Sequence, residues 1–158
     1  MKKLKLYLDT SFISLLDTSS RPEWTADTLE LWDDIINDLY IPIVSHVTFE
    51  ELEKTPEPKK GILFNYLAQI SFQNAHETEE SLELVNKYLQ HGVLKEQYRD
   101  DCRHIALATI VDADCIVSWN FRHFVNINTI NKVQAINKLY GYKEIIIISP
   151  QMLGGYYE

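Results

Sequence analysis

Asp9, Glu51, Asp101 and Asn120 are the side chains through which this sequence can do chemistry: three carboxylates and a carboxamide, drawn from distant parts of the chain. Carboxylates collected at one point repel each other and titrate abnormally unless a cation joins them. Oxygen donors of this kind suit magnesium or manganese, hard ions that retain waters and are often held by few carboxylates plus a substrate phosphate. Such an ion activates water and stabilises charge on a phosphate undergoing in-line displacement. The residue types therefore meet the requirement for metal-assisted phosphoester chemistry, provided the fold brings them together.

Each of the four sits at an informative place in its element. Leu4, Leu6 and Leu8 alternate with Lys5 and Tyr7, a strand pattern that ends in Asp9 just before a helical stretch. In an open α/β sheet, ligands bind at the carboxyl ends of strands where the strand order reverses, so Asp9 is well placed; its other reading is a helix N-cap. A second strand is predicted over 40–45, with Pro42 marking an edge or a strand start, followed by a helix over 46–54. In that helix Glu51 lies one turn from Val47 and faces inward in preference to Glu50. A helix over 95–111 places Asp101 on a stripe continued by Ile105 and Ala108, whereas Asp100 turns to solvent. Asn120 follows a strand over 114–118, where it is either part of a ligand shell or a turn former.

The other elements complete an alternating pattern. Helices are predicted over 25–39, 61–68, 77–89 and 128–140, the third with Leu82, Val85 and Leu89 on one face and closed by His91-Gly92. A last strand is predicted over 143–149, and a short one is possible over 70–72. Alternation of this kind implies a mostly parallel central sheet with helices on both faces, in a single domain over 1–158.

Composition sets bounds on function. The 158 residues carry a formal net charge of −8, which argues against gripping nucleic acid through a broad basic surface. An acidic pocket loaded with divalent cations can still hold a phosphodiester. No apolar run is long enough to cross a bilayer, and Met1-Lys2-Lys3 opens no leader-like segment, so no membrane partner is expected. Cys102 and Cys115 read as small buried thiols, which makes a cytoplasmic location the default. His46, His104 and His123 have no zinc-type spacing with the cysteines. His104 reads as a satisfied structural histidine, and His123 as a phosphate contact or a hydrogen bond that orients a ligand.

Four segments, in order, resemble the PIN-domain family of metal-dependent nucleases, including VapC-type toxin ribonucleases: Leu8-Asp9-Thr10-Ser11, Thr48-Phe49-Glu50-Glu51-Leu52, Asp101-Cys102-Arg103-His104-Ile105-Ala106-Leu107-Ala108 and Ala113-Asp114-Cys115-Ile116-Val117-Ser118-Trp119-Asn120. The resemblance implies a Rossmann-like α/β/α sandwich and magnesium- or manganese-dependent hydrolysis of RNA. It implies that Asp9, Glu51 and Asp101 are metal ligands, that Asn120 falls where many members have an aspartate or asparagine, and that Ser11 helps orient Asp9. His123 lies in a segment shared by some relatives. A cognate antitoxin and a homodimer are the partners it implies, with exposed residues around Leu29 to Ile36 as a contact surface. A PIN-fold RNA- or protein-binding module with little catalysis is the alternative. An aspartyl-phosphate phosphatase is disfavoured, because Ser11 stands where that chemistry wants a second acid.

Overall fold

The computed structural model describes residues 2–17 and 21–153; the ends of the expected unit, at 1 and 154–158, lie outside them. Strands β1 (Lys5–Leu8), β2 (Ile41–Ser45), β3 (Gln73–Ala75), β4 (Cys115–Val117) and β5 (Ile146–Ile148) form a five-stranded sheet in the order β3-β2-β1-β4-β5. Every pairing is parallel, with Leu8 opposite Val117 and Tyr7 opposite both Ile43 and Ile116. Strand order reverses between β1 and β4, which leaves a crevice at their carboxyl ends.

Helices cover both faces. On one, α1 (Thr10–Ser14), α2 (Pro22–Ile36) and α4 (Lys59–Leu67) pack Phe12, Trp32 and Leu63 against Leu6, Leu8, Val44 and Val117. On the other, α5 (Glu79–Gln90), α6 (Arg99–Ile110) and α7 (Ile127–Leu139) set Val85, Ile105 and Val133 against Tyr7, Ile43 and Ile116. Helix α3 (His46–Glu53) follows β2 directly and contributes Val47 to one cluster and Leu52 to the other. Alternate residues of each strand thus feed opposite cores. Cys102 and Cys115 fall on opposite faces as free, buried thiols, and burial pushes them up to about 12 and about 11.

The expected elements are present with three corrections. The strand sought at 70–72 forms at Gln73–Ala75, where only Ala75 is buried; Ile70 and Phe72 instead pack on the core from the preceding loop. On α5 the inward face is Ser81, Leu84, Val85 and Tyr88, and Leu82 is 47% exposed. The helix expected over 95–111 begins as a 3-10 turn, Glu96–Tyr98, before α6. Pro42 sits at the start of β2, ahead of the first residue paired to β3, so its missing N–H interrupts no bond on that side. Gly92 and Gly141, at φ of +72° and +79°, close α5 and α7 in the left-handed conformation that glycine adopts without strain.

Candidate functional site: an acidic crevice at the strand switch point

Asp9 is the first residue past β1 and is only 3% exposed. Its Oδ1 accepts from the Phe12 N–H at 2.9 Å, so it caps α1, and from Ser11 Oγ at 2.8 Å. Its Oδ2 accepts from Ser118 Oγ at 2.7 Å. The parallel register explains that last bond: Leu8 pairs with Val117, and the residues that follow each strand emerge side by side. The segment after β4 is fastened to the same group, because Ser11 Oγ accepts from the Trp119 N–H and Ser118 Oγ from the Asn120 N–H, both at 2.9 Å. The Trp119 indole N–H donates to Thr28 Oγ1 at 2.7 Å and pins the segment to α2.

Glu51 and Asp101 each receive a histidine. His104 Nε2 lies 2.5 Å from Glu51 Oε1; an ionised carboxylate only accepts, so the nitrogen donates. His104 Nδ1 lies 2.6 Å from the Tyr7 hydroxyl, which is 2.7 Å from Ser45 Oγ, the N-cap of the helix that carries Glu51. His123 Nδ1 donates to Asp101 Oδ2 at 2.6 Å, and Asn120 Oδ1 accepts from the His123 N–H at 2.9 Å. Asn120 therefore forms the turn that delivers His123.

The electrostatics follow from burial. Desolvation raises the Asp9 carboxyl above its ordinary value, although Ser118, His104, the Phe12 amide and Ser11 oppose it. Asp101 is raised too, by burial and by the Glu51 charge, against the pull of His123 and His104. Burial alone pushes the His104 imidazole down, but Glu51, Asp9 and Asp101 together outweigh it and hold the group up. All three acids thus act on one buried ring. Among the described residues, no lysine or arginine forms an ion pair with Asp9, Glu51 or Asp101.

The neighbouring acids go elsewhere. Glu50 and Asp100 are exposed and pair with Arg103 at 3.4 and 3.0 Å. The expected choice of Glu51 over Glu50, and of Asp101 over Asp100, matches the burial observed. His104 is buried and satisfied as expected, but its hold on Glu51 was not foreseen, nor were the roles of Ser118 and Tyr7. The strand register carried the one available signal, for Ser118.

The donor chemistry suits a hard divalent ion, since the acids and the Asn120 carboxamide offer only oxygen ligands. Among the described residues, no three Asp, Glu, His or Cys side chains are gathered into a metal cage. Magnesium does not require one: it is commonly bound by one or two carboxylates, with water and phosphate oxygens filling the rest. Buried Asp9 and half-buried Asp101, both with raised carboxyls and no fixed cation, fit that mode.

No protein-family model matches the chain, and no curated protein matches it either. Among solved structures it is similar to a chain in the crystal structure of VapBC2 from Rickettsia felis bound to a DNA fragment from their promoter. That match has a TM-score of 0.56 at 14% identity and covers 92% of this chain and 98% of the other. Among the described residues, no helix is long and apolar enough to cross a membrane. The likeness is one of fold: the parallel five-stranded sheet flanked by helices is the PIN-like α/β architecture that the sequence resembles.

Proposed function

We propose that this chain is a metal-dependent endoribonuclease that acts as the toxin of a toxin–antitoxin pair. One observation carries the proposal: Asp9 just past β1, Glu51 on α3 and Asp101 on α6 are held by Ser118, His104 and His123, and among the described residues none of the three is paired with a lysine or arginine. Asp9 and Asp101 would hold magnesium or manganese, with Glu51 and Asn120 contributing directly or through water. A divalent ion there supplies neutralisation of phosphate charge and lowers the pKa of water.

The chain's own groups have distinct tasks. Ser11, Ser118 and the Phe12 amide fix both oxygens of Asp9, so little reorganisation is needed when substrate arrives. His104 holds the Glu51 carboxylate from the core side. His123 Nδ1, 2.6 Å from Asp101 Oδ2, sets the direction of that carboxylate. No side chain is needed as a covalent nucleophile. The solved neighbour is a VapBC2 complex bound to DNA, which supports an antitoxin partner here; by resemblance the protein would form a homodimer.

The test is cleavage of end-labelled single-stranded RNA with magnesium or manganese and with chelator. Metal-dependent cleavage that Asp9→Asn abolishes is the expected outcome; cleavage at full rate by Asp9→Asn would assign the activity elsewhere. The alternative, a binding module with little catalysis, is favoured by the engagement of Asn120 Oδ1 in the turn. Calorimetry separates the two, because a non-catalytic module need not bind manganese.

A further inference from the structure

Beside the acidic crevice lies an open cleft of about 550 Å³, within the roughly 300–1,000 Å³ range of ligand sites. Lys95, Tyr98, Arg122, His123, Asn128 and Lys132 line it, over a partly apolar floor. These residues come from the α5–α6 connection, the segment after β4 and the start of α7. None of the three crevice acids lines it; His123 is the wall the two sites share, through its bond to Asp101 at 2.6 Å.

The charge of the cleft runs against that of the protein. The chain as a whole carries −8, yet three cations meet here. Among the described residues the Lys95 and Arg122 side chains have neither a hydrogen bond nor an ion pair, and Lys132 reaches only the Gly92 carbonyl, at 3.1 Å. The one acid in the lining, Glu96, is occupied by Arg99 at 2.7 Å. Tyr98 lines the cleft with its ring packed on that of His123, centroids 3.9 Å apart and planes tilted by 47°. Cations that follow a backbone, next to an aromatic face, are what single-stranded nucleic acid requires; a duplex keeps its bases stacked and out of reach of such a ring. The first turn of α7, where Asn128 lies, adds the positive end of a helix.

We infer that this cleft is the track for single-stranded RNA, holding nucleotides that flank the bond positioned at Asp9 and Asp101. The inference rests on the nuclease proposal for the identity of the strand, and it assigns binding to residues separate from the acids. Lys95 and Arg122 each contact a phosphate, Lys132 lends charge, and Tyr98 stacks on a base.

Binding is tested by fluorescence anisotropy with a labelled twelve-nucleotide single-stranded RNA in chelator, over a series of salt concentrations. Lys95→Glu/Arg122→Glu is expected to weaken binding about tenfold or more, and to flatten the log–log salt slope by about 1.4, roughly 0.7 per phosphate contact. Lys2→Glu/Lys138→Glu changes the net charge equally but lies away from the cleft, and should stay within about twofold of wild type. Thermal unfolding checks that each variant folds, and the milder Lys95→Gln/Arg122→Gln should shift affinity in the same direction. Equal losses in the two Glu variants, no loss in either, or no RNA binding by the wild type would each overturn the track. So would displacement of the RNA by a poly-glutamate peptide at lower concentration than unlabelled RNA, which would mark the cleft as an acidic-protein site. Metal-dependent cleavage without cleft-dependent affinity defeats this inference and leaves the nuclease standing. Cleft-dependent binding without cleavage in magnesium or manganese supports the track and defeats the nuclease.

Discussion

Three pairs of adjacent residues divide between two charged clusters: Glu50 and Glu51, Asp100 and Asp101, Arg103 and His104. The first of each pair goes outward. Arg103 there binds Glu77 through two nitrogens, at 3.0 and 2.5 Å, and also reaches Glu50 and Asp100, while His46 approaches Glu50 and Glu77. The second of each pair goes inward, to the crevice with Asp9. One step in sequence is about 100° on a helix, enough to separate the two sets. The outer cluster carries its own permanent cation, so the Arg103 hydrogen bond and charge hold Glu77 below the ordinary carboxylate range. The inner cluster has only histidines, and burial leaves Asp9 and Asp101 above that range. The outer acids thus carry their own counter-charge, whereas the inner ones would, under the proposed function, take theirs from a bound divalent ion.

The largest expected contrast between the clusters is in catalysis. Asp9→Asn or Asp101→Asn should lower metal-dependent RNA hydrolysis about a hundredfold or more, the scale of losing a positioned electrostatic group. Glu50→Gln and Asp100→Asn should leave it within about twofold. Equal losses on both sides would erase the distinction.

Stability should show the reverse. Arg103→Ala removes a bidentate partner of half-buried Glu77 and is expected to cost about 1–3 kcal/mol, measured by denaturant unfolding. The depressed folded pKa of Glu77 means its contribution is complete above the ordinary glutamate value of 4.5 and is lost as pH falls through the folded value. Wild type should therefore lose stability in acid more steeply than Arg103→Ala. The inner acids have the opposite sign. Their folded pKa values are raised, so in chelator stability falls as pH rises from 3.8 through the folded values. At neutral pH, metal-free Asp9→Asn should melt above wild type, because the amide buries no charge.

The smallest expected effect concerns the support behind Glu51. Tyr7→Phe removes the hydroxyl between His104 Nδ1 and Ser45 Oγ, at about 1–2 kcal/mol of stability. Because the bond from His104 to Glu51 remains, hydrolysis should fall less than tenfold. A loss as large as that of Asp9→Asn would place Tyr7 in the reaction itself.

Sequence revealed the sheet and the inward acids because both are written in local periodicity. Leu6 and Leu8 alternate up to Asp9, and Asp101 shares a helical face with Ile105 and Ala108. The groups that hold those acids were hidden, because their partners are distant in the chain: 53 residues separate His104 from Glu51, and 97 separate it from Tyr7. Strand β3 was misplaced because Ala75 is its only buried residue, so tertiary pairing and not an apolar pattern makes it a strand. Leu82 went to the wrong face because Ser81 and Tyr88, polar or amphipathic by type, occupy the buried stripe. The cleft was equally invisible, since Lys95, Arg122 and Lys132 come from three separate segments with no common spacing.

The direct test of whether the inner cluster is the one that receives a cation is a manganese-soaked crystal measured for anomalous scattering. The expected result is a peak in contact with the Asp9 or Asp101 carboxylate, and none at Glu50, Glu77 or Asp100. A peak confined to the outer acids, or no peak at saturating manganese with the crevice open to solvent, would contradict the account.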